Sequence, residues 1–358
     1  MSTLTNLVDK FEESEVEKNK EAIRQQLAER RFDPKKPPAK PIPSITIGKH
    51  PIGTAGNLVN IQAGVKAGKS ATVGAIIAAA IKPEGINIDT FNIQVDNSDH
   101  KAVVHIDTEQ SRYDAHWILS KAVERSFAGD PPDWLYSYSM ADLGVSEKKQ
   151  ALEQILEDIP QKHGGLFSLI IDGVADLIED PNDIESSFAV VAMLQQVAIE
   201  QDAVVVTVLH ENPNSERGKT RGHLGSQLER KAESNLRLFK DNKDGVTTIF
   251  SERSRHCHLP KSQGPRFRWD DESKMHRSCE TKAEEKEQDR LAGLEDEADM
   301  VADLNDGNEW THMQVIDALK KISGIKERSA ANHLKKLKEE ELLSLDPETG
   351  NYSRSGAK

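Results

Sequence analysis

The feature that most restricts the fold of this chain is an apolar segment followed directly by a glycine-containing loop and a helix-forming segment. The apolar segment 58–61 predicts a strand, and the Ala- and Ile-rich segment 71–81 predicts a helix. The tripeptide Gly-Lys-Ser alone is weak evidence, since typical residue frequencies place Gly-Lys followed by Ser or Thr by chance in roughly one in five chains of this length. Its position between a strand and a helix is what predicts a phosphate-binding loop. The predicted nucleotide contacts in this loop are Gly64, Val65, Lys66, Ala67, Gly68, Lys69, Ser70 and Ala71.

Each part of the predicted loop has a chemical task. Its backbone amides and the helix N-terminus point at the phosphates of a nucleotide, Lys69 adds a positive charge, and Ser70 is placed to ligate Mg²⁺. Ala63 stands at the first position of the pattern, where glycine is usual. Because its methyl group requires a negative φ, the entry to the loop is expected to differ slightly. The alternative interpretation is a glycine turn before a core helix.

Two later apolar runs end in carboxylates, at the edge of the sheet where open α/β folds bind ligands. Asp172 follows the run 169–171 and is expected to hold Mg²⁺ through water. Glu109 follows the run 102–106 and is expected to orient the attacking water or accept its proton. The alternatives are an ordinary strand-ending acid and a helix-capping acid, and the role of Asp107 stays open.

Short β-rich runs alternate with longer helical runs from 45 to 270, which predicts an α/β domain with a mainly parallel sheet covered by helices. The runs 235–239 and 246–250 are expected to continue the sheet in antiparallel fashion. Residues 1–44 predict a helical arm and a proline-rich linker, and residues 271–294 predict a flexible or helical acidic linker.

The tail, residues 295–358, has the pattern of a winged-helix domain: helices, a turn at Ser323-Gly324 and a terminal hairpin. Its third predicted helix, 327–342, is basic, which suits phosphate and base-edge contacts in a DNA groove. A basic helix is more often a solvated face, and recruitment of another replication protein is a further alternative. The residues expected to contact DNA are Arg328, Asn332, Lys335 and Lys336, with Ser329 and His333 also near the start of the helix.

The formal net charge of -13, taken for the whole chain, argues against a nucleic-acid partner. The segment 271–309, however, holds 14 Asp or Glu residues and 5 Lys or Arg residues. Most of the net negative charge therefore falls within 271–309, and the segments 250–268 and 326–338 remain locally positive.

Membrane insertion and secretion are not expected, because the sequence has no apolar run of about 18 residues and no N-terminal signal pattern. Cys257 and Cys279 form no CxxC pair, which favours a reducing, cytoplasmic location. The adjacent residues His256, Cys257 and His258 alternate in direction on an extended segment, so no metal site is predicted there.

In this order the motifs resemble those of the RecA-like hexameric helicase family, in particular its RepA/DnaB-type ATPases. The resemblance covers about 50–270 and implies a RecA-like fold, ATP and Mg²⁺ as cofactors, and a homo-oligomeric ring that drives DNA through a central pore. The matching positions are Gly68-Lys69-Ser70, Asp107-Thr108-Glu109, Ile170-Ile171-Asp172, His210 and the stretch Arg221-Gly222-His223-Leu224-Gly225-Ser226.

The resemblance also implies roles for individual residues beyond the phosphate loop. His210 is similar to a sensor of the γ-phosphate that passes its state to the following loop, and Arg253 or Arg255 is the candidate that reaches the ATP of a neighbouring subunit. The alternative is that both arginines are exposed to solvent or contact DNA. The loop residues expected at the pore are Arg217, Lys219 and Arg221, with a solvated surface loop as the alternative.

Three functions are compatible with these patterns. The leading hypothesis is an ATP-hydrolysing, DNA-dependent motor, a replicative helicase of plasmid, phage or mobile-element type. The second is a RecA-like recombination or transposition ATPase whose nucleotide state controls assembly. The third is a non-enzymatic DNA-binding regulator that uses ATP as a switch.

Overall fold

The computed structural model describes residues 18, 20–212, 220, 222–256, 258–305 and 308–355, with residue 252 described by its backbone alone. Contacts divide the chain into two units, Met1–Ile42 and Pro43–Lys358. In the first unit, residues 20–30 form helix α1, and every described side chain is exposed. The prolines that follow this helix remove backbone donors, which agrees with an extended segment.

The second unit contains all strands of the described chain. Strand and helix alternate through its first two thirds, as the hydrophobic pattern predicts. The strands are β1 (Pro43–Ile47), β2 (His50–Thr54), β3 (Leu58–Ala63), β4 (Ile93–Val95), β5 (Ala102–Asp107), β6 (Leu135–Ser139), β7 (Leu166–Asp172), β8 (Val204–His210), β9 (Ser234–Lys240), β10 (Thr247–Ser254), β11 (Arg266–Asp270), β12 (Met275–Cys279), β13 (Leu343–Leu345) and β14 (Tyr352–Arg354).

Four helices of this unit begin at a residue whose side chain caps the helix. Ser111, Asp183, Thr281 and Thr311 each accept a hydrogen bond from a backbone N–H in the first turn of the helix that follows. The helices are α2 (Lys69–Ile81), α3 (Arg112–Ser126), α4 (Val145–Lys162), α5 (Ile184–Glu200), α6 (Gly222–Lys231), α7 (Lys282–Leu304), α8 (His312–Ser323) and α9 (Glu327–Glu339), with a 3₁₀ turn at Val174–Leu177.

Within the described residues the main sheet has nine strands in the order β12-β11-β10-β9-β3-β8-β7-β5-β6. The strands from β9 to β6 are parallel to one another, and β10, β11 and β12 extend the sheet in antiparallel fashion. Apolar side chains form one core on each face of the sheet, so helices cover both faces. The predicted α/β class is confirmed: the fold is a mainly parallel sheet covered by helices.

The direction of β9 corrects the prediction for 235–239. This strand pairs with β3 in parallel register, with Val59 opposite Ser234. Helix α6 carries the chain back across the sheet between β8 and β9, and such a crossover joins parallel strands. The run 246–250 does pair in antiparallel fashion, because a tight turn after Lys240 leads directly into β10.

The sheet also extends beyond residue 270, into the segment predicted as an acidic linker. Strand β12 pairs with β11 along its whole length, and Met275 is buried. Helix α7 follows with a capping box formed by Thr281 and Glu284. Arg266 holds the first turn of α7 to β11 through an ion pair with Glu285.

A third core lies in the C-terminal part of the chain. It joins the second half of α7, helices α8 and α9 and the hairpin β13–β14, with Trp310 buried among them. Leu319 of α8 and Leu334 of α9 belong to this core, while β13 and β14 form their own two-stranded sheet. Among the described residues, no helix is both long enough and apolar enough to cross a membrane.

Candidate functional site at the carboxyl edge of the sheet

The phosphate loop has the predicted setting, between the end of β3 and the start of α2. Ala63 is the last, buried residue of β3, and Gly68 has φ 88°, a left-handed conformation that glycine adopts most easily. A Cβ atom on Gly68 would lie 2.7 Å from the ring of Phe267, so space also requires glycine here. No side chain caps the N-terminus of α2, which leaves the amides of its first turn available to an anion.

Lys69 lies in the first turn of α2, with its amine directed into a cluster of polar groups. The amine is 2.8 Å from Nδ1 of His210, and the residue is 8% exposed. Burial lowers the pKa of Lys69, against the opposing charges of Glu109 and Asp172. A compact cation at the start of the helix is suited to a phosphate group.

Asp172 and Asp107 end neighbouring strands and are directly opposite each other in the sheet register. Asp172 is buried, and this burial, with the charges of Asp107 and Glu109, raises its pKa to about 7. Its Oδ2 atom accepts a hydrogen bond from the Ser70 hydroxyl at 3.5 Å. The structure thus brings together Ser70 and Asp172, the two residues expected to hold Mg²⁺, and their role as metal ligands stays a prediction.

The residues present fit a magnesium ion that is bound together with a nucleotide. Ser70 offers a hydroxyl oxygen and Asp172 a carboxylate, both hard oxygen ligands. In the described part of the chain, no group of three or more His, Cys, Asp or Glu side chains has the arrangement to hold a metal by itself. A metal at Ser70 therefore depends on phosphate oxygens and water for its remaining ligands.

Asp107, whose role the sequence left open, shapes the loop that carries Glu109. Its Oδ1 atom accepts hydrogen bonds from the backbone N–H groups of Glu109 at 3.0 Å and Gln110 at 2.8 Å. Thr108 donates its hydroxyl to the carbonyl of Gly173 at 2.8 Å. Asp107 and Thr108 therefore fix the start of the turn, and Glu109 projects from it.

Glu109 and Lys69 are joined through the imidazole of His210. The Nε2 atom of His210 is 3.2 Å from Oε2 of Glu109, and this hydrogen bond lowers the pKa of the Glu109 carboxyl. His210 ends β8, level with Ala63 in the neighbouring strand β3. The structure thus brings together Lys69, Glu109 and His210, three of the residues predicted to be catalytic. An ionised Glu109 is suited to orient water or accept its proton, and the catalytic role of the three residues stays a prediction.

Gly173 lies so close to Thr108 and Glu109 that no side chain fits at this position, which sequence reasoning did not identify. A Cβ atom on Gly173 would lie 2.2 Å from the Thr108 hydroxyl oxygen and 2.6 Å from Cγ of Glu109. The adjacency of Asp172 and Gly173 was the available signal, but only the fold shows which loop approaches the glycine.

We expect Gly173→Ala to displace Glu109 and to reduce any nucleotide hydrolysis at this site by about 10- to 100-fold, since misplacement of about 1 Å has effects of this size. Gly164→Ala is the matched control. Gly164 also has a positive φ, at 66°, but an added Cβ there would meet nothing within 4 Å. Steady-state ATPase rates and unfolding curves of both variants separate displacement of Glu109 from backbone strain; equal turnover in the two variants would contradict the prediction.

The raised pKa of Asp172 predicts a pH effect on the free protein. Between the unfolded value of 3.8 and the folded value of about 7, the folded chain binds the additional proton. The free energy of unfolding therefore falls as pH rises through this window, by about 1.4 kcal/mol per pH unit for this group. Asp172→Asn is expected to remove that part of the slope. Urea unfolding of both proteins at pH 5 and pH 8, without Mg²⁺ or nucleotide, measures the difference.

A largely apolar pocket of about 210 Å³ adjoins Ser70 and Ala71. Trp117 of α3 and Trp269 of β11 line it, with their ring centroids 6.4 Å apart and each side chain about 40% exposed. His276 stands edge-on to Trp269 at 5.4 Å. The sequence held no sign of this pocket, because its two tryptophans come from distant segments.

Arg253 and Arg255 lie away from the phosphate loop of their own chain. In the sheet register Arg253 pairs with Asn235, which is level with Asn60 near the start of β3. Arg253 forms an ion pair with Glu229, and Arg255 donates to the carbonyl of Lys231 at 2.9 Å. The backbone of Arg253 thus lies nearer the start than the end of β3, and a role at the nucleotide of another subunit stays a prediction for both arginines.

The structure describes some of the residues predicted to contact DNA and not others. Arg217, Lys219 and Arg221 lie outside the described residues. On α9, one exposed face carries four of the predicted residues, while the opposite face packs in the third core through Leu334. His333 points instead to α7, with Nδ1 2.9 Å from Oε1 of Glu297. The exposed residues are Arg328, Asn332, Lys335 and Lys336.

No protein-family model matches this chain, and no curated protein matches it by sequence. Solved structures do match. The RadB recombinase has 15% sequence identity and a TM-score of 0.42, with 63% of this chain and 92% of that chain covered. A KaiC-like protein from the hyperthermophilic archaeon Pyrococcus horikoshii OT3 has 14% identity and a TM-score of 0.43, with 68% of this chain and 100% of that chain covered.

Proposed function

We propose that this protein hydrolyses ATP and acts as a DNA-dependent motor of the replicative-helicase type. The observation that carries the ATPase assignment is the contact of His210 with both Lys69 and Glu109 at the phosphate loop. This arrangement places a cation, an ionised carboxylate and a hydrogen-bonding imidazole around one position. Ground-state binding of phosphate needs only the first of them, whereas water activation needs the second.

In this proposal each residue of the site has a separate role. The loop amides and Lys69 bind the phosphates, Glu109 orients the attacking water, and His210 connects the two. Ser70 and Asp172 would hold Mg²⁺, which when bound neutralises negative charge on the phosphates. The pocket beside Ser70 would accept the purine base, because its aromatic walls offer stacking surfaces.

We expect Trp117→Ala to weaken nucleotide binding by about 5- to 150-fold, the equivalent of the 1–3 kcal/mol that one base–aromatic contact contributes. Turnover at saturating ATP is expected to change much less, because Trp117 does not contact Glu109. Equilibrium binding of a fluorescent ATP analogue measures the loss. Phe127→Ala, which removes an exposed aromatic residue just past the end of α3, serves as the control. Equal affinities for the two variants would refute the base assignment.

DNA binding by the C-terminal part is a separate component of the proposal. Its three helices and terminal hairpin support a winged-helix domain, with α9 as the helix that enters a groove. Arg328, Asn332 and Lys335 are spaced by four and three residues, so they share one face of α9. Lys338 lies over the ring of Tyr352 at 5.8 Å, which joins this helix to the hairpin.

The proposed ring places ATP between subunits, with Arg253 or Arg255 of one subunit near the phosphates bound to its neighbour. The exposure of the Arg253 side chain, 63%, supports this assignment, because a residue acting on another chain must be accessible. An arginine in this role neutralises charge that develops during phosphoryl transfer.

One experiment tests the proposed function most directly: the ATPase rate with and without single-stranded DNA, combined with the mass in solution with ATP. A motor is expected to hydrolyse ATP faster with DNA and to form a closed ring. Open filaments seen by electron microscopy would favour the recombination or transposition ATPase. One tight, specific DNA site with negligible turnover would favour the nucleotide-gated regulator.

A further inference from the structure

A row of polar contacts connects the strand end that holds His210 to Arg253 on the surface. Glu211, the residue after His210, forms an isolated antiparallel bridge with Thr220. The Thr220 hydroxyl donates to Oε1 of Glu229 at 2.7 Å. The second oxygen of the same carboxylate, Oε2, forms the ion pair with Arg253. Glu229 therefore contacts the base of a loop with one oxygen and a surface cation with the other.

The base of this loop, formed by Glu211, Asn212 and Thr220, is fixed to the phosphate site. The N–H of Glu211 donates to the carbonyl of Ala63 at 2.8 Å, immediately before the phosphate loop. The Glu211 carboxylate accepts two hydrogen bonds from Arg237 of β9, at 2.7 and 3.2 Å. The Asn212 amide donates to the carbonyl of Thr220 at 3.1 Å, which closes the base of the loop.

The two contacts of Glu229 differ in their exposure to water. Thr220 is 1% exposed and the Glu229 side chain 13%, whereas the Arg253 side chain is 63% exposed. A hydrogen bond to an ionised group is strong in a dry environment, while an exposed ion pair is weak and is screened by salt. The outer contact is therefore the one that an external anion can break.

Loss of Arg253 would also weaken the inner contact. The guanidinium restricts the rotamer of Glu229 and compensates the charge of a carboxylate that is largely out of water. Without it, the carboxylate gains both rotamer freedom and hydration by turning away from Thr220.

We propose that Glu229 is a positioning residue that transmits the engagement of Arg253 to the base of the loop after His210. A phosphate group of a nucleotide bound to a second copy of the chain attracts Arg253. This attraction separates Arg253 from Glu229, and the contact of Glu229 with Thr220 then weakens. The identity of the anion rests on the proposed function, in which Arg253 reaches the ATP of a neighbour. The contact network within one chain does not depend on it.

Trypsin offers a test that needs no nucleotide, because the sequence between Asn212 and Gly222 contains three cleavage sites, Arg217, Lys219 and Arg221. Arg253→Ala, Glu229→Gln and Thr220→Val are each expected to accelerate tryptic cleavage there by about 2- to 10-fold, the effect of one hydrogen bond. Glu229→Gln keeps the shape and an acceptor for Thr220 but removes the charge that holds Arg253. Cleavage after Arg290, in α7, serves as the internal reference for general loosening of the chain.

Arg255→Ala is the matched control, since Arg255 donates to the Lys231 carbonyl and its contact does not involve Glu229. Its loop cleavage is expected to equal that of the wild type. The double variant Arg253→Ala/Thr220→Val is expected to be cleaved no faster than Thr220→Val alone, because both changes interrupt one path. The proposal would be overturned if Arg253→Ala were cleaved at the wild-type rate. It would also be overturned if the rate increase of the double variant equalled the product of the increases of the two single variants. If the cleavage rates change as expected but the protein hydrolyses no ATP, the proposed function is wrong and the positioning role of Glu229 is still supported.

Discussion

Glu109→Gln is expected to reduce ATP turnover by about 10²- to 10⁴-fold, the usual range for loss of a positioned general base. Glutamine has nearly the same shape and can still bond to His210, so nucleotide binding should persist. The hydrogen bond from His210 lowers the pKa of the Glu109 carboxyl, which keeps it ionised at neutral pH. The amide cannot accept a proton from water, and the loss is therefore expected in kcat and not in affinity.

The matched control for this prediction is Glu153→Gln, the same change at an exposed carboxylate of α4. It is expected to leave both turnover and affinity unchanged. Single-turnover hydrolysis and equilibrium nucleotide binding, measured on both variants, give the two quantities separately. Wild-type turnover by Glu109→Gln would show that another group activates the water.

Lys69→Ala is expected to lower turnover by about 10²- to 10³-fold, as for removal of one preorganised donor from a developing charge, and to weaken nucleotide binding as well. Its effect extends to the carboxylates around it. The charge of Lys69 lowers the pKa values of Asp172 and Glu109, so removal leaves a larger fraction of Asp172 protonated near neutral pH. A protonated Asp172 is a poorer partner for Mg²⁺, and the two losses reinforce each other.

Lys82→Ala, at the residue that directly follows α2, controls for loss of a lysine at the other end of the helix. Lys82 donates to the carbonyl of Ile86 and takes no part in the phosphate site. Thermal unfolding shows whether each variant remains folded. A folded Lys69→Ala protein with wild-type turnover would remove the basis for the ATPase assignment.

The sequence predicted those parts of the site that depend on local order. A strand, a glycine loop and a helix occupy one continuous segment, so the places of Gly68, Lys69 and Ser70 could be derived without the fold. The edge positions of Glu109 and Asp172 followed from a general property of parallel sheets, that their carboxyl ends meet. His210 was inferred from family resemblance, and the fold shows its contacts with Lys69 and Glu109.

The parts that sequence reasoning missed depend on contacts between distant segments. The direction of β9 is set by a crossover through α6, which hydrophobic periodicity does not report. Strand β12 was hidden by the charged residues on either side of Met275, because composition averaged over a window conceals a short edge strand. The pocket formed by Trp117 and Trp269 requires α3 and β11 to lie side by side.

The hairpin β11–β12 gives the nucleotide site a mechanical connection to the end of the chain. Phe267 of this hairpin abuts Gly68, Trp269 lines the adjoining pocket, and α7 follows β12 after a short turn. Helix α7 has 23 residues, a rod about 34 Å long at 1.5 Å per residue, and its far half belongs to the C-terminal core. A tilt of about 5° at the hairpin would carry the far end of such a rod through about 3 Å, for purely geometric reasons given that length. Because α7 joins the two parts as one continuous helix, a small change in its direction at the hairpin corresponds to a shift of several ångström at the C-terminal core.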